Sequence, residues 1–163
     1  MTDIFEMEFP ESEFITIRDS DFIIDNGILK KYLGMSSYVE VPEGVTMFDV
    51  GAFENSPIRE VICPSTLKRI EKYCFMNSAL NRVVLNYGLI VIDDYAFTNC
   101  DMLTDVKLPI SLKVIGARAF SNTRISRVKL PMDILYVASN AFSCTPFYDY
   151  LKHKIERLYF DMD

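Results

Sequence analysis

An internal repeat of 22 or 23 residues is the feature that most limits how this chain can fold. An Ala-Phe or Cys-Phe pair recurs five times, and its phenylalanines are Phe53, Phe75, Phe97, Phe120 and Phe142. A valine stands fourteen residues before each of them, at Val39, Val61, Val83, Val106 and Val128. Because a period of this length is typical of stacked repeats, the sequence predicts a solenoid of five coils with one continuous core.

The positions within each repeat indicate how one coil is built. Each valine is followed two residues later by another apolar side chain, as in a short strand with one buried face. Proline then ends the strand in four of the five units, since it cannot donate a backbone hydrogen bond. We expect the five phenylalanines to stack as one internal column.

An asparagine two residues after the phenylalanine marks a turn in four of the five units. Asparagine tolerates the left-handed conformation and bonds nearby backbone groups. We therefore expect these side chains to form a ladder that satisfies buried peptide groups between coils. The third unit departs from the pattern, with Asn86 in place of proline and one extra residue after Asn99. A small local bulge is predicted there.

These motifs resemble a known family. The segments VEVPEGVTMFDVGAF and VKLPISLKVIGARAF are similar to repeats of the BspA-type leucine-rich-repeat family, and FIIDNGILKKYLG resembles its entry segment. The resemblance covers residues 22–147. It implies a curved, mostly β leucine-rich-repeat solenoid lined by parallel strands. Members of the family are often bacterial or protozoan surface proteins that bind host or matrix proteins, so the resemblance also implies protein binding.

Both ends of the repeat carry capping signals. Asn26-Gly27 between the apolar runs 22–24 and 28–29 is a strong hairpin signal, so a β-hairpin laid across the first coil is predicted. Near the other end, Thr145 can N-cap a helix with Pro146 at its first position.

The predicted C-terminal helix has one apolar stripe that could cover the last coil. Its members are Phe147, Leu151, Ile155 and Leu158. A degenerate sixth coil is the alternative, because Tyr150 stands where its valine would be. The chain then divides into an acidic segment at 1–21, a capping hairpin at 22–38, five repeats at 39–147 and a C-terminal cap at 148–163.

The net charge of −6 comes entirely from residues 1–21, which hold seven acids and one base. The remainder is neutral and has no basic excess of the kind that nucleic acid requires. The apolar runs are too short to span a membrane, and the N-terminus lacks the basic and apolar stretch of a secretory signal. We expect a cytoplasmic protein if the chain is complete, and a surface or secreted one if a signal was removed.

Groups that could support chemistry are sparse. The single histidine, His153, lies between two lysines without partner residues, and the four cysteines show no C-x-x-C spacing. Cys63 and Cys74 occupy core columns, and four reduced thiols fit a reducing compartment. The acidic doublet Asp93-Asp94 falls at a turn. No catalytic, cofactor or metal site is predicted, and the chain is expected not to be an enzyme.

The strand face is the predicted working surface, because its exposed positions flank the buried valines. An apolar spot rimmed by charge is typical of a protein contact. The candidate binding residues are Ile62, Val84, Arg82, Lys107, Arg127 and Lys129. Two alternatives remain open. The charges before each valine alternate in sign and could neutralise one another, and Tyr73, Tyr95 and Tyr136 form a rival patch on the opposite side.

The predicted function is therefore a non-enzymatic module that binds another protein through this face. One alternative is a structural or assembly solenoid that associates with itself. Another is an inhibitor whose acidic N-terminal segment binds a basic partner protein.

Overall fold

The computed structural model describes residues 21–160, and the side chains of residues 21–153. The hypothesis that the acidic segment at 1–21 binds a basic partner falls almost entirely outside this range, since residues 1–20 are not described. The described chain winds into a solenoid of parallel strands closed by one helix. Its elements are β1 (Phe22–Asp25), β2 (Ile28–Tyr32), β3 (Tyr38–Glu40), β4 (Met47–Phe48), β5 (Glu60–Ile62), β6 (Arg69–Ile70), β7 (Arg82–Val84), β8 (Val91–Ile92), β9 (Val114–Ile115), β10 (Tyr136–Val137) and α1 (Pro146–Phe160).

Successive coils pair along two sheets on opposite sides of the core. In the first three coils, the segment around the repeat valine supplies one sheet, in the order β3-β5-β7, and Val61 of β5 lies opposite Val83 of β7. A two-residue strand in the middle of each coil supplies the other, together with the hairpin strands, in the order β1-β2-β4-β6-β8-β9-β10. The repeats pair in register and in parallel, which confirms the predicted mostly β solenoid of five coils.

The repeated phenylalanines form the predicted internal column. Neighbouring ring centroids are 4.8–5.1 Å apart and the ring planes differ by only 2–7°. Four of the rings are fully buried, and Phe142 at the end is nearly so. The buried aliphatics of every coil surround this column, so the core is continuous. Each ring contacts equivalent rings above and below because every coil places it in the same position.

The asparagines form a ladder, but not to the groups expected. The side-chain amides of Asn77, Asn99 and Asn122 each donate to the asparagine of the preceding coil, at 2.8–3.2 Å. All four asparagines have φ between 55° and 59°. They are exposed and bond one another instead of buried peptide groups, so that part of the prediction was wrong.

The residue that follows this turn position is Ser, Cys or Thr in each repeat, and in the last two repeats its hydroxyl donates to a buried carbonyl. The hydroxyl of Thr123 donates to the Phe120 carbonyl at 2.9 Å, and that of Thr145 to the Phe142 carbonyl at 2.6 Å. Thr123 and Thr145 thereby avoid the cost of an unpaired buried carbonyl, whereas the buried hydroxyl of Ser56 in the first repeat has no hydrogen-bond partner in the described chain.

The N-terminal hairpin adds its two strands to the end of the seven-stranded sheet. β1 and β2 pair antiparallel, and Asn26 and Gly27 have the positive φ values, 49° and 74°, that a tight hairpin turn requires. β2 then pairs in parallel with β4, placing Leu29 beside Phe48. The Tyr32 ring covers the end of the phenylalanine column, 5.6 Å from Phe53. The hairpin was predicted to lie across the first coil, whereas it extends the sheet at its edge.

The C-terminal segment is the predicted helix and not a sixth coil. Thr145 caps it by accepting a hydrogen bond from the Tyr148 N–H at 3.1 Å, and Phe147 packs edge-on against Phe142 at 5.4 Å. Leu151 remains 37% exposed, so the first turn makes the contact and the expected stripe does not lie fully on the coil. Ile155 and Leu158 fall outside the described side chains.

The thiols differ sharply in accessibility, which predicts their reactivity. Cys63, Cys74 and Cys100 are buried and Cys144 is exposed. Burial raises the pKa of all three buried thiols, that of Cys100 to about 11. With iodoacetamide at mildly alkaline pH, we expect rapid alkylation of Cys144 alone, measured as one adduct by intact mass. In guanidinium all four should react. Two or more rapid adducts on the folded protein would contradict this burial.

Candidate protein-binding face

The six side chains predicted to bind a partner lie on one side of the solenoid. Ile62 belongs to β5, and Arg82 and Val84 belong to β7. The other three lie on the next two coils, in residues 104–108 and 126–130, and are Lys107, Arg127 and Lys129. This surface, formed by β3, β5, β7 and these two segments, is called the strand face below.

The strand ladder of this face ends after β7. The Val41 N–H donates to the Ile62 carbonyl at 3.0 Å, and one coil later the Cys63 N–H donates to the Val84 carbonyl at 3.0 Å. The next donor in this series, the Leu85 N–H, has no backbone acceptor within residues 21–160. Residues 104–108 and 126–130 form no strand. The prediction that every coil contributes a strand to this face was therefore wrong for the last two coils.

The third repeat has one extra residue at the turn that leads from β7 to the first coil without a strand on this face. The core aliphatic follows the asparagine by three residues in the first, second and fourth repeats, but Leu103 follows Asn99 by four. The added length forms a turn in which the Leu103 N–H donates to the Cys100 carbonyl at 3.0 Å. On the far side, Phe97 and Phe120 remain stacked 5.0 Å apart. The third and fourth coils therefore stay in contact at the phenylalanine column, whereas on the strand face β7 and residues 104–108 are not paired. This is a larger effect than the predicted bulge.

The core beneath the strand face becomes more exposed toward the C-terminal end. In the column two residues after each valine, Cys63 is fully buried, Leu85 is 8% exposed and Leu130 is 39% exposed. The phenylalanine column shows no comparable change, since its rings stay stacked throughout. The coils are thus closed on one side and open on the other.

Two openings flank residues 104–108. The first, named the β7 gap, has a volume of about 440 Å³ and separates β7 from this segment. The second, named the basic groove, has a volume of about 570 Å³ and separates this segment from residues 126–130. Five of the six predicted residues line them: Arg82 and Val84 in the β7 gap, Lys107 in both, and Arg127 and Lys129 in the basic groove.

The basic groove combines positive charge with an apolar floor. Lys107, Arg127 and Lys129 are exposed and form no ion pair within the described residues, whereas Asp105 is the one carboxylate in the lining. The apolar lining includes Leu108, Ile110, Leu130 and Met132. Such a surface suits a partner that offers carboxylates beside apolar side chains.

The expected mutual neutralisation of the charges before each valine occurs at one place in the described chain. Glu60 and Arg82 form an ion pair between β5 and β7. Asp105 and Arg127 do not pair, because their segments are no longer joined. The broken ladder therefore leaves the cations of the last two coils available to a partner.

Ile62 and Val84 differ from their expected exposure. They face each other across β5 and β7 and are half-buried, instead of forming an exposed apolar spot. The apolar surface of the strand face lies further along, at Ile110, Leu130 and Met132, which sequence reasoning did not select. A signal for them exists in the residue that follows each strand-ending position, which changes from polar to apolar along the chain: Glu43, Ser65, Tyr87, Ile110 and Met132.

The rival tyrosine patch is not one surface. Tyr73 and Tyr95 stack at 5.2 Å and both adopt left-handed dihedrals. Tyr136 instead belongs to β10, where it lies beside Val114 of β9. The three side chains therefore occupy two different columns.

The acidic doublet is engaged in structural contacts. Asp93 pairs with Arg69, and Asp94 accepts a hydrogen bond from the Ala117 N–H at 2.8 Å and pairs with Lys72 at 3.1 Å. The Ala117 hydrogen bond is the main reason that the pKa of Asp94 is lowered. Within residues 21–160, no three His, Cys, Asp or Glu side chains converge as metal ligands would.

Stacked coils, a phenylalanine column and an open strand face define a solenoid of the leucine-rich-repeat class, whose fold is typically non-enzymatic. The family model of the BspA type leucine-rich repeat region matches residues 23–148 in six copies, and the chain belongs to that family. The family model finds six copies where the sequence pattern shows five repeats, which agrees with β2 pairing in parallel with β4 like the strand of a further coil.

Solved structures of bacterial leucine-rich-repeat proteins share this fold. The Treponema pallidum leucine-rich-repeat protein is 30% identical, with a TM-score of 0.70, and the match covers 73% of this chain and 60% of that one. A leucine-rich-repeat protein from Bacteroides ovatus is 24% identical with a TM-score of 0.64, over 76% of this chain and 39% of that one. The chain thus spans less than two thirds of either. No curated protein matches the sequence.

Residues 21–160 contain no helix with the length and apolar character needed to cross a bilayer.

Proposed function

We propose that this chain is a non-enzymatic protein-binding module whose basic groove binds an acidic, partly apolar surface of another protein. The observation that carries the proposal is the opening of the strand face. Lys107, Arg127 and Lys129 line the resulting cleft of about 570 Å³, together with exposed apolar side chains. Repeat solenoids in general use such extended faces for binding.

Charge complementarity should dominate recognition by this groove. The three cations are exposed, so they steer an acidic partner and set the register of binding. The affinity itself must come from apolar contacts in the floor, at Leu130 and Met132. Binding should therefore weaken with salt without disappearing.

The test is selection of peptides from a displayed random library on the full-length protein. We expect the selected peptides to be rich in Asp and Glu and to contain apolar side chains. The variant Lys107→Glu with Lys129→Glu should bind the selected pool at least about tenfold more weakly, which corresponds to about 1.4 kcal/mol.

The matched control is Lys68→Glu with Arg124→Glu. Both residues are exposed and lie outside the groove, and the change in net charge is the same. This variant should retain the wild-type affinity for the pool. Equal affinity of the wild type and both variants, or selection of peptides without acids, would show that the groove is not the binding site.

A further inference from the structure

The outer edge of β7 is an unused template for another strand. β7 pairs with β5 along one edge, and within residues 21–160 nothing pairs along the other. Leu85 and Asp105 line opposite walls of the β7 gap, and neither backbone N–H has a backbone acceptor in the described chain. Unpaired edges of this kind accept strands from other chains.

We propose that the β7 gap receives an extended segment of a partner protein, which adds to the edge of β7 as a β-strand and alternates carboxylates with apolar side chains. This proposal rests on the proposed function and specifies the binding mode. It extends the acidic and apolar chemistry of the basic groove to an adjacent site, because residues 104–108 form a wall of both openings.

The alternation follows from the two sides of the β7 gap. Val83 and Leu85 are at most 8% exposed and form its inner, apolar side. Arg82 and Lys107 are exposed at its outer side. Because successive side chains of a strand point to opposite faces, an added strand would place every second residue against apolar side chains and the others beside cations.

The charge at the outer side selects the sign of the partner. Arg82 is already paired with Glu60, whereas Lys107 has no ion-pair partner in the described chain. Asp105 is the carboxylate in the lining of the gap. Asp105 is also unpaired in the described chain, so the excess of positive charge that favours a carboxylate near Lys107 comes from Arg127 and Lys129 in the adjoining groove.

The probe is a capped synthetic peptide in which Glu and Val alternate over about eight residues, within the length range of natural strands. Its binding to the full-length protein is measured by calorimetry, together with amide hydrogen exchange read by mass spectrometry. We expect binding, and slower exchange at Leu85 and at residues 104–108 in the complex. A peptide with Lys in place of Glu should not bind detectably.

Methylation of alternate backbone nitrogens of the probe separates strand addition from side-chain binding. It removes hydrogen-bond donors and keeps every side chain, so strand addition predicts a loss of affinity of about tenfold or more. The same affinity with and without methylation would overturn strand addition and leave the proposed function standing. Weak binding of every acidic peptide, methylated or not, would reject both.

The free protein provides the remaining control. The amides of Leu85 and Asp105, which have no backbone acceptor in the described chain, should exchange rapidly when no peptide is present, in contrast to that of Arg82, which donates to the Arg59 carbonyl at 3.0 Å. Slow exchange in the free protein would mean that the gap is closed, or is filled by another part of this chain or by a second copy. That result would overturn the assignment to a separate partner.

Discussion

Replacing Phe97 with alanine should lower the free energy of unfolding by about 3–5 kcal/mol, the usual cost of removing a fully buried aromatic ring. Phe97 is fully buried and stacks on Phe75 and Phe120 at 4.9 and 5.0 Å. The ring is central in the column, so its loss leaves a cavity between two coils and removes both stacking contacts. Such a loss is a large part of the stability of a domain this size. Denaturant unfolding followed by circular dichroism measures it.

The matched control for Phe97→Ala is Tyr87→Ala in the same coil. Tyr87 is 72% exposed, so its removal should change the free energy of unfolding by no more than about 0.5 kcal/mol. Equal effects of the two substitutions would contradict the phenylalanine column as the main source of cohesion between coils.

Deleting Met102 should close the β7 gap. The deletion gives the third repeat the spacing of its neighbours, so residues 104–108 can pair with β7 and the Leu85 N–H gains an acceptor. If about two backbone hydrogen bonds form, at about 1 kcal/mol each, the amides at 83–85 and 104–108 should exchange roughly tenfold to a hundredfold more slowly. Met102 is half-exposed, so little core packing is lost. Hydrogen exchange by mass spectrometry measures the change.

Deletion of Arg124 is the control for the shortened repeat. Arg124 lies at the same turn of a 22-residue repeat, where loss of one residue disturbs a spacing that already fits. We expect this deletion to lower stability and not to slow exchange in the β7 gap. If deletion of Met102 left exchange at 83–85 unchanged, the extra residue would not be the reason that the ladder ends.

Much of the molecule follows from local sequence pattern. The phenylalanine column, the hairpin turn at Asn26-Gly27 and the helix capped by Thr145 were all predicted correctly. Each depends on a short motif whose conformational preference the fold retains, and in the repeats every copy supplies the same neighbours to the next. The same regularity predicted the location of the binding residues on one face, although their role remains a proposal.

Features that depend on how neighbouring coils fit together were predicted less well. The asparagines bond one another at the surface because a φ of 55–59° turns their side chains outward. Ile62 and Val84 are half-buried because they pack beside each other across paired strands. The helix contacts the last coil mainly through Phe147, although the sequence shows a longer apolar stripe.

The repeat pattern alone determined that this chain is a five-coil solenoid of the BspA-type family with a continuous aromatic core. The extra residue after Asn99 is visible in the sequence, but its consequence depends on which side of the coil loses its contacts with the neighbouring coil. The stacked phenylalanines and the seven-stranded sheet hold the coils about 5 Å apart on one side, so the displacement opens the strand face on the other. Only the tertiary structure decides this, because it is a competition between contacts made by different coils.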